Sequence, residues 1–279
     1  MSYYALVTGA AKGIGRSIAI ELAKQQYHLL LVDIDATGLY KTAYTIKTNY
    51  NVTVDCLELD LSEEDSPERI KQWSKHYHNK LQVVVNNAGY GLNGSFANIA
   101  LHAHQNNINV NIRAVMGISH TFIPILNSQA NAYLLNVAST TAYQTVPYLN
   151  VYASTKAFIL SFTRGLRYEL RKSTISVSCL SPGSTDTDFV HRARMGEGIQ
   201  RTAARFNMSP DDVAKIAVAG MLKGKAEIIP GFVNKLNAFL PKFFPKAFVE
   251  KISGNIYEPR EDSNNMTLRD AKLFPEGYR

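Results

Sequence analysis

The chain is poor in cysteine, has no long apolar run and has no repeat. Its two cysteines, Cys56 and Cys179, both fall in predicted strands, which reads as buried reduced thiols rather than a disulfide or a metal pair. No apolar stretch reaches the roughly 18 to 20 residues that cross a bilayer, so no membrane span is expected. The first apolar run begins at Tyr3 and leaves no room for a signal peptide; a cytoplasmic location is the expectation. The His76-Tyr77-His78 cluster is only superficially a metal tract: it closes a polar helix and reads as surface, and no metal site is expected. The formal net charge is +7, but the Lys and Arg residues are scattered and no nucleic-acid motif accompanies them. That excess reads as solvated surface plus attraction for an anionic cofactor or substrate.

What is present is an ordinary globular balance. At 279 residues, 46% apolar and 19% charged, the chain suits one α/β domain with a sizeable core. Apolar runs recur at about residues 3–8, 28–33, 53–58, 81–86, 132–138, 174–180 and 226–230, and helical patterns fill most gaps. Strands alternating with helices imply a parallel sheet covered on both faces. We expect one domain over residues 1–256 and a polar C-terminal arm over 257–279.

The first apolar run leads into Thr8-Gly9-Ala10-Ala11-Lys12-Gly13-Ile14-Gly15, and a helical pattern follows. Strand, glycine turn and helix form the context in which such glycines mean dinucleotide binding. Gly9 permits the turn, Gly13 lets backbone amides approach a pyrophosphate, and Gly15 allows close packing of helix on strand. Lys12 and Ile14 lie in the same turn. The second run ends at Asp33, eighteen residues after Gly15, where a carboxylate is placed to bind ribose hydroxyls. It also repels a 2′-phosphate: unit charges 4 Å apart interact by roughly 4 kcal/mol at an effective dielectric of 20. That exceeds what a flexible Lys12 returns, so the cofactor is read as NAD, with NADP as the alternative.

Tyr152 and Lys156 stand four residues apart in a predicted helix, and Ser139 thirteen residues before the tyrosine. The i, i+4 spacing puts both side chains on one face. A free tyrosine titrates near 10, too high for a good base at neutral pH, and an adjacent lysine cation is expected to lower it. Ser139 can then hold a reacting oxygen against Tyr152. A Tyr-x-x-x-Lys pair by itself occurs on many solvated helix faces; the neighbouring motifs carry the reading.

These segments, together with Asp60-Leu61, Asn86-Asn87-Ala88-Gly89, Asn111 and Pro182-Gly183-x-x-x-Thr187, resemble the short-chain dehydrogenase/reductase family, and the likeness runs to about Phe248. The resemblance implies a doubly wound parallel sheet (Rossmann fold) of about seven strands with helices on both faces. It implies an oxidoreductase that moves a hydride between a nicotinamide cofactor and a ketone or secondary alcohol, with Tyr152 as general acid or base. It also implies that Asp60 and the Leu61 backbone meet the adenine, and that Asn87-Ala88-Gly89 line the adenosine side. Asn111 would hold a water that links Lys156 to solvent, Lys156 would bond the nicotinamide ribose, and Thr185 and Thr187 would meet the carboxamide and diphosphate. A homodimer or homotetramer follows from the same likeness. One subgroup often reads Ala-Arg-x-x-x-x-Leu after the second strand, its arginine meeting the phosphate of NADP. Here the stretch is Asp33-Ile34-x-x-x-x-Leu39, which argues against copying NADP from it. An NADP-dependent reductase and a non-catalytic dinucleotide-binding scaffold are the rival readings.

Substrate contacts are expected from loops at the strand ends: Tyr90, Leu92 and Phe96, then Thr141 and Tyr143, then Phe189 to Met195. The stretch Phe239 to Val249 mixes aromatics with lysines. It reads either as a basic amphipathic segment that touches a membrane or admits an apolar substrate or as a segment packed on its own domain or on a partner subunit; two prolines break a continuous helix and favour the second.

Overall fold

A computed structural model of the chain describes residues 3–185 and 207–259. Seven strands form one parallel sheet in the order β3-β2-β1-β4-β5-β6-β7. They are β1 (Tyr4–Thr8), β2 (His28–Asp33), β3 (Val54–Glu58), β4 (Leu81–Asn86), β5 (Ala132–Val137), β6 (Ile175–Leu180) and β7 (Glu227–Ile228). The doubly wound fold is therefore as expected. The strands are Leu- and Val-rich because both faces of a parallel sheet are covered. Alternation along β1 sends Ala5 and Val7 to one core and Leu6 to the other.

On the first face lie α1 (Gly13–Lys24), α2 (Ala36–Asn49) and α7 (Pro210–Leu222), which contribute Ile18, Leu22, Ile46, Ala217 and Met221. Local chemistry starts two of them: Asp35 accepts a bond from the Gly38 amide (3.0 Å), and Ser209, ahead of Pro210, accepts one from the Asp212 amide (3.1 Å). On the second face lie α3 (Ser66–Trp73), α5 (Val115–Leu126) and α6 (Asn150–Glu169), with Ile70, Ile118 and Phe122 packed against Leu30, Val84 and Leu134. The short α4 (Leu101–Ile108) precedes α5, and α8 (Phe232–Phe239) and α9 (Lys246–Tyr257) follow the sheet.

Three details depart from expectation. Strand β7 keeps two residues, because Pro230 cannot donate to the ladder and Gly231 turns the backbone to a φ of +84°. His76 and His78 lie in a 3-10 turn, Lys75–Lys80. There His78 hydrogen-bonds Ser74 (3.1 Å) and meets the edge of Phe122, so it is half-buried rather than a surface residue. The third departure concerns Tyr257, which stood in the expected arm but is the last residue of α9. Both cysteines are free, Cys179 fully buried. Among the described residues no helix is long and apolar enough to cross a membrane.

Phe122 is among the largest side chains with no exposure. Phe122→Ala should cost about 3–5 kcal/mol of stability through lost burial and a residual cavity, measured as a lower urea midpoint with an unchanged slope.

Candidate active site

The carboxyl ends of β1, β2, β4 and β5 open on one crevice, at the point where strand order reverses between β1 and β4. After β1 the chain turns through Gly9, whose φ is +67°, and Gly13, whose φ is +57°. Gly9 donates its amide to Val32 O (2.8 Å), tying the turn to β2. Helix α1 then begins with no side-chain cap and no acid in its first turn, so its positive end is left for an anion. A Cβ on Gly15 would lie 2.0 Å from Gly9 O and 2.3 Å from Asn87 Nδ2. Lys12 is the N-cap position, and Ile14 packs against the first core. This cradle fits a dinucleotide pyrophosphate.

Asn87 joins the two halves of the sheet. Its Nδ2 donates to Thr8 O (3.0 Å) and Gly9 O (3.1 Å), while Thr8 Oγ1 accepts the amides of Asn87 (3.1 Å) and Ala88 (3.2 Å). Asp33, at the end of β2, is held by the amides of Ala11 (2.8 Å) and Asp35 (3.0 Å). Asp60 accepts from the Ser62 amide (2.8 Å), and Leu61 is buried in the second core. Thr185 is buried, with its hydroxyl donating to Gly183 O (3.2 Å). Thr187 and Phe189 to Met195 lie outside the described residues.

The four candidate catalytic side chains come together, and all are buried. Ser139 caps the 3-10 turn Thr140–Tyr143 by accepting the Thr141 amide (3.1 Å), and it is hydrogen-bonded to Tyr152. Lys156 Nζ donates to Val137 O (2.9 Å) and lies 5.6 Å from the Tyr152 ring centre. Asn111 sits in a π-helical turn, Asn109–Ala114, between α4 and α5. It binds the Tyr90 backbone on both sides, accepting from its N (3.1 Å) and donating to its O (2.9 Å), and it also donates to Thr155 Oγ1 (3.0 Å). Gly89 is where these residues converge: a Cβ there would lie 2.9 Å from Asn111 Oδ1 and 3.2 Å from Lys156 Nζ.

Electrostatics reverses one expectation. Burial pushes the Tyr152 phenol up, opposed by the Ser139 hydrogen bond, and pushes Lys156 down to about 8. Each charged form loses hydration on burial.

The expected substrate residues divide. Tyr90 is fixed beside Asn111, and Thr141 beside Ser139. Phe96 is exposed and stacks on His104 (4.8 Å). The hydroxyl of Tyr143 is engaged by Ser181 (3.1 Å) and Glu227. Sequence reasoning missed Tyr257, which packs with Val146, Leu149 and Tyr152. Its i, i+4 spacing from the inward-facing Ser253 was the one available signal.

A family model described as short chain dehydrogenase matches residues 3–198. The chain is 30% identical over 244 residues to human 17-beta-hydroxysteroid dehydrogenase 13, covering 85% of this chain and 79% of that protein. Its fold is similar to that of a short-chain dehydrogenase from Sphingobium yanoikuyae in complex with NADPH (TM-score 0.76, 23% identity, 93% of this chain and 96% of that one). It is also similar to that of a short chain dehydrogenase/reductase from Burkholderia phymatum in complex with NAD (TM-score 0.78, 21% identity, 87% and 93%).

The lysine shift has a testable sign. Its folded pKa lies below the unfolded value, so between about pH 8 and 10.4 the unfolded chain binds the extra proton and stability rises with pH. Lys156→Met should therefore gain stability over wild type at neutral pH, on the order of 3 kcal/mol from this source. The gain should shrink as pH climbs through that window, read from urea unfolding of both proteins across the range.

Proposed function

The chain belongs to the short-chain dehydrogenase family, and from that premise we propose that it is an NAD-dependent oxidoreductase acting on an apolar ketone or secondary alcohol. The observation that carries this reading is the convergence of Ser139, Tyr152, Lys156 and Asn111 beside the glycine turn, at the carboxyl end of the sheet.

The bound nicotinamide would supply or accept the hydride. The turn from Gly9 through Lys12, Gly13 and Ile14 to Gly15, with the amides that open α1, holds its pyrophosphate. Asp33 takes the ribose hydroxyls, Asp60 and Leu61 the adenine, and Asn87, Ala88 and Gly89 line the adenosine side. By the family likeness, Thr185 and Thr187 are assigned to the carboxamide and diphosphate. Ser139 holds the substrate oxygen against Tyr152. The Tyr152 phenol, pushed up by burial, carries its proton at neutral pH and gives it to a ketone oxygen; in the reverse direction it first releases that proton toward solvent, and the resulting phenolate takes the proton of an alcohol. Lys156 bonds the nicotinamide ribose, and Asn111 holds the water through which the proton is replaced. Val146, Leu149 and Tyr257 wall the phenol on its apolar side. The name of the human relative, a hydroxysteroid dehydrogenase, supports an apolar substrate for this chain.

NAD is favoured because the carboxylate of Asp33, fixed by two backbone amides, would stand against a 2′-phosphate. Fluorescence titration should give tight NADH and weak NADPH binding, and the gap should narrow in Asp33→Ala. Tighter NADPH in wild type would make the protein an NADP-dependent reductase; binding of neither would favour a non-catalytic role. With the cofactor assigned, Tyr152→Phe should lower kcat/KM about 10²- to 10⁴-fold while leaving cofactor affinity near wild type. An unchanged rate would remove Tyr152 from the chemistry.

A further inference from the structure

Ten of the nineteen large apolar side chains exposed among the described residues fall between Phe232 and Ile256. Phe232, the most open, is 80% exposed and Phe243 is 69% exposed. On α9, Phe248, Ile252 and Ile256 recur at i, i+4 and i+8 and form one outward stripe. An exposed apolar concentration of this kind marks an interaction surface.

The charges around it are mainly positive. Lys235, Lys242, Lys246 and Lys251 stand among these side chains against a single acid, Glu250. Lys235 and Lys242 border a groove with Phe232, Leu236 and Phe239; the groove's acid, Glu227, is paired with Arg164 (3.0 Å), and Lys242 Nζ lies over the Phe239 ring at 5.6 Å. A long lysine stem laid along aromatic surface, with its ammonium at the edge, suits a boundary between apolar and polar phases.

We propose that the face formed by α8, the turn Leu240–Phe243 and α9 docks on an anionic membrane surface, with the aromatics entering the headgroup boundary and the lysines meeting lipid phosphates. Charge favours this occupant over a second copy of the chain. A two-fold interface brings two copies of the same lysine-rich patch together, with one acid to four lysines on each, whereas an anionic bilayer complements the excess.

The full-length protein is sedimented with vesicles of phosphatidylcholine alone, and with vesicles in which a third of the lipid is phosphatidylglycerol. Binding is expected to the anionic vesicles and to weaken as salt is raised. Lys242→Gln with Lys246→Gln should reduce it about twenty-five-fold, at roughly fivefold per lysine. Phe243→Ser with Phe248→Ser should reduce it at least about tenfold. Both pairs are exposed, so melting temperature should hold within a few degrees. Three results would overturn the proposal: no binding to anionic vesicles, binding that neither double variant reduces, or a dimer that the phenylalanine variant splits while vesicle binding is absent.

Discussion

One carboxamide holds the crevice together. Strands β1 and β4 are neighbours in space although β2 and β3 lie between them in the chain, and the connections leaving their carboxyl ends part company there. Asn87 spans this joint by donating to two carbonyls of the β1 turn, and Thr8 returns two bonds from the other side. The glycines follow from it. A Cβ on Gly9 or Gly15 would strike Asn87 Nδ2 or nearby backbone within 3 Å. Their bareness is therefore demanded first by how closely helix, turn and β4 pack. The openness of the turn toward a phosphate is a consequence of that packing.

Burial sets the charge state of the candidate cluster. A lysine lowered to about 8 is still mostly protonated at neutral pH, and the phenol beside it is held protonated too. Two buried proton-bearing groups thus lie beside Ser139. Such a cluster favours an oxygen that gains negative charge as it reacts. The cost is a desolvated ammonium, partly repaid by the carbonyl of Val137.

Much of this was legible in the sequence. Apolar runs located all seven strands because a parallel sheet buries both faces. The glycine turn, Asp33 and Asn87 could be read because strand ends fix where such residues point. What could not be read depended on tertiary contact. The π turn that carries Asn111 inward adds a residue to a helix without a change in composition. Tyr143 carried no sign that Glu227, 84 residues away, would engage its hydroxyl. The upward push of burial on Tyr152 could not be read because desolvation depends on what covers a residue, whereas an i, i+4 lysine is visible at once.

The last helix shows the same limit from the other side. An ordinary surface helix turns its apolar stripe inward; α9 does the reverse. Its outward stripe is Phe248, Ile252 and Ile256. Its inward positions include Ser253, whose hydroxyl donates to Thr145 O (3.2 Å), and Tyr257, which meets Tyr152. Asn93 Nδ2 fastens this end by donating to both Tyr148 O (3.1 Å) and Tyr257 O (3.0 Å), and the Tyr148 hydroxyl donates to Glu258 (2.8 Å). Tyr148 takes a left-handed φ of +62°, an uncommon conformation for a bulky side chain, just before α6 starts. The segment that launches Tyr152 is thus held by polar bonds to a helix whose apolar side faces out. A helix attached in this way is positioned by its hydrogen bonds, which leave its outer stripe bare while Tyr257 closes against Tyr152.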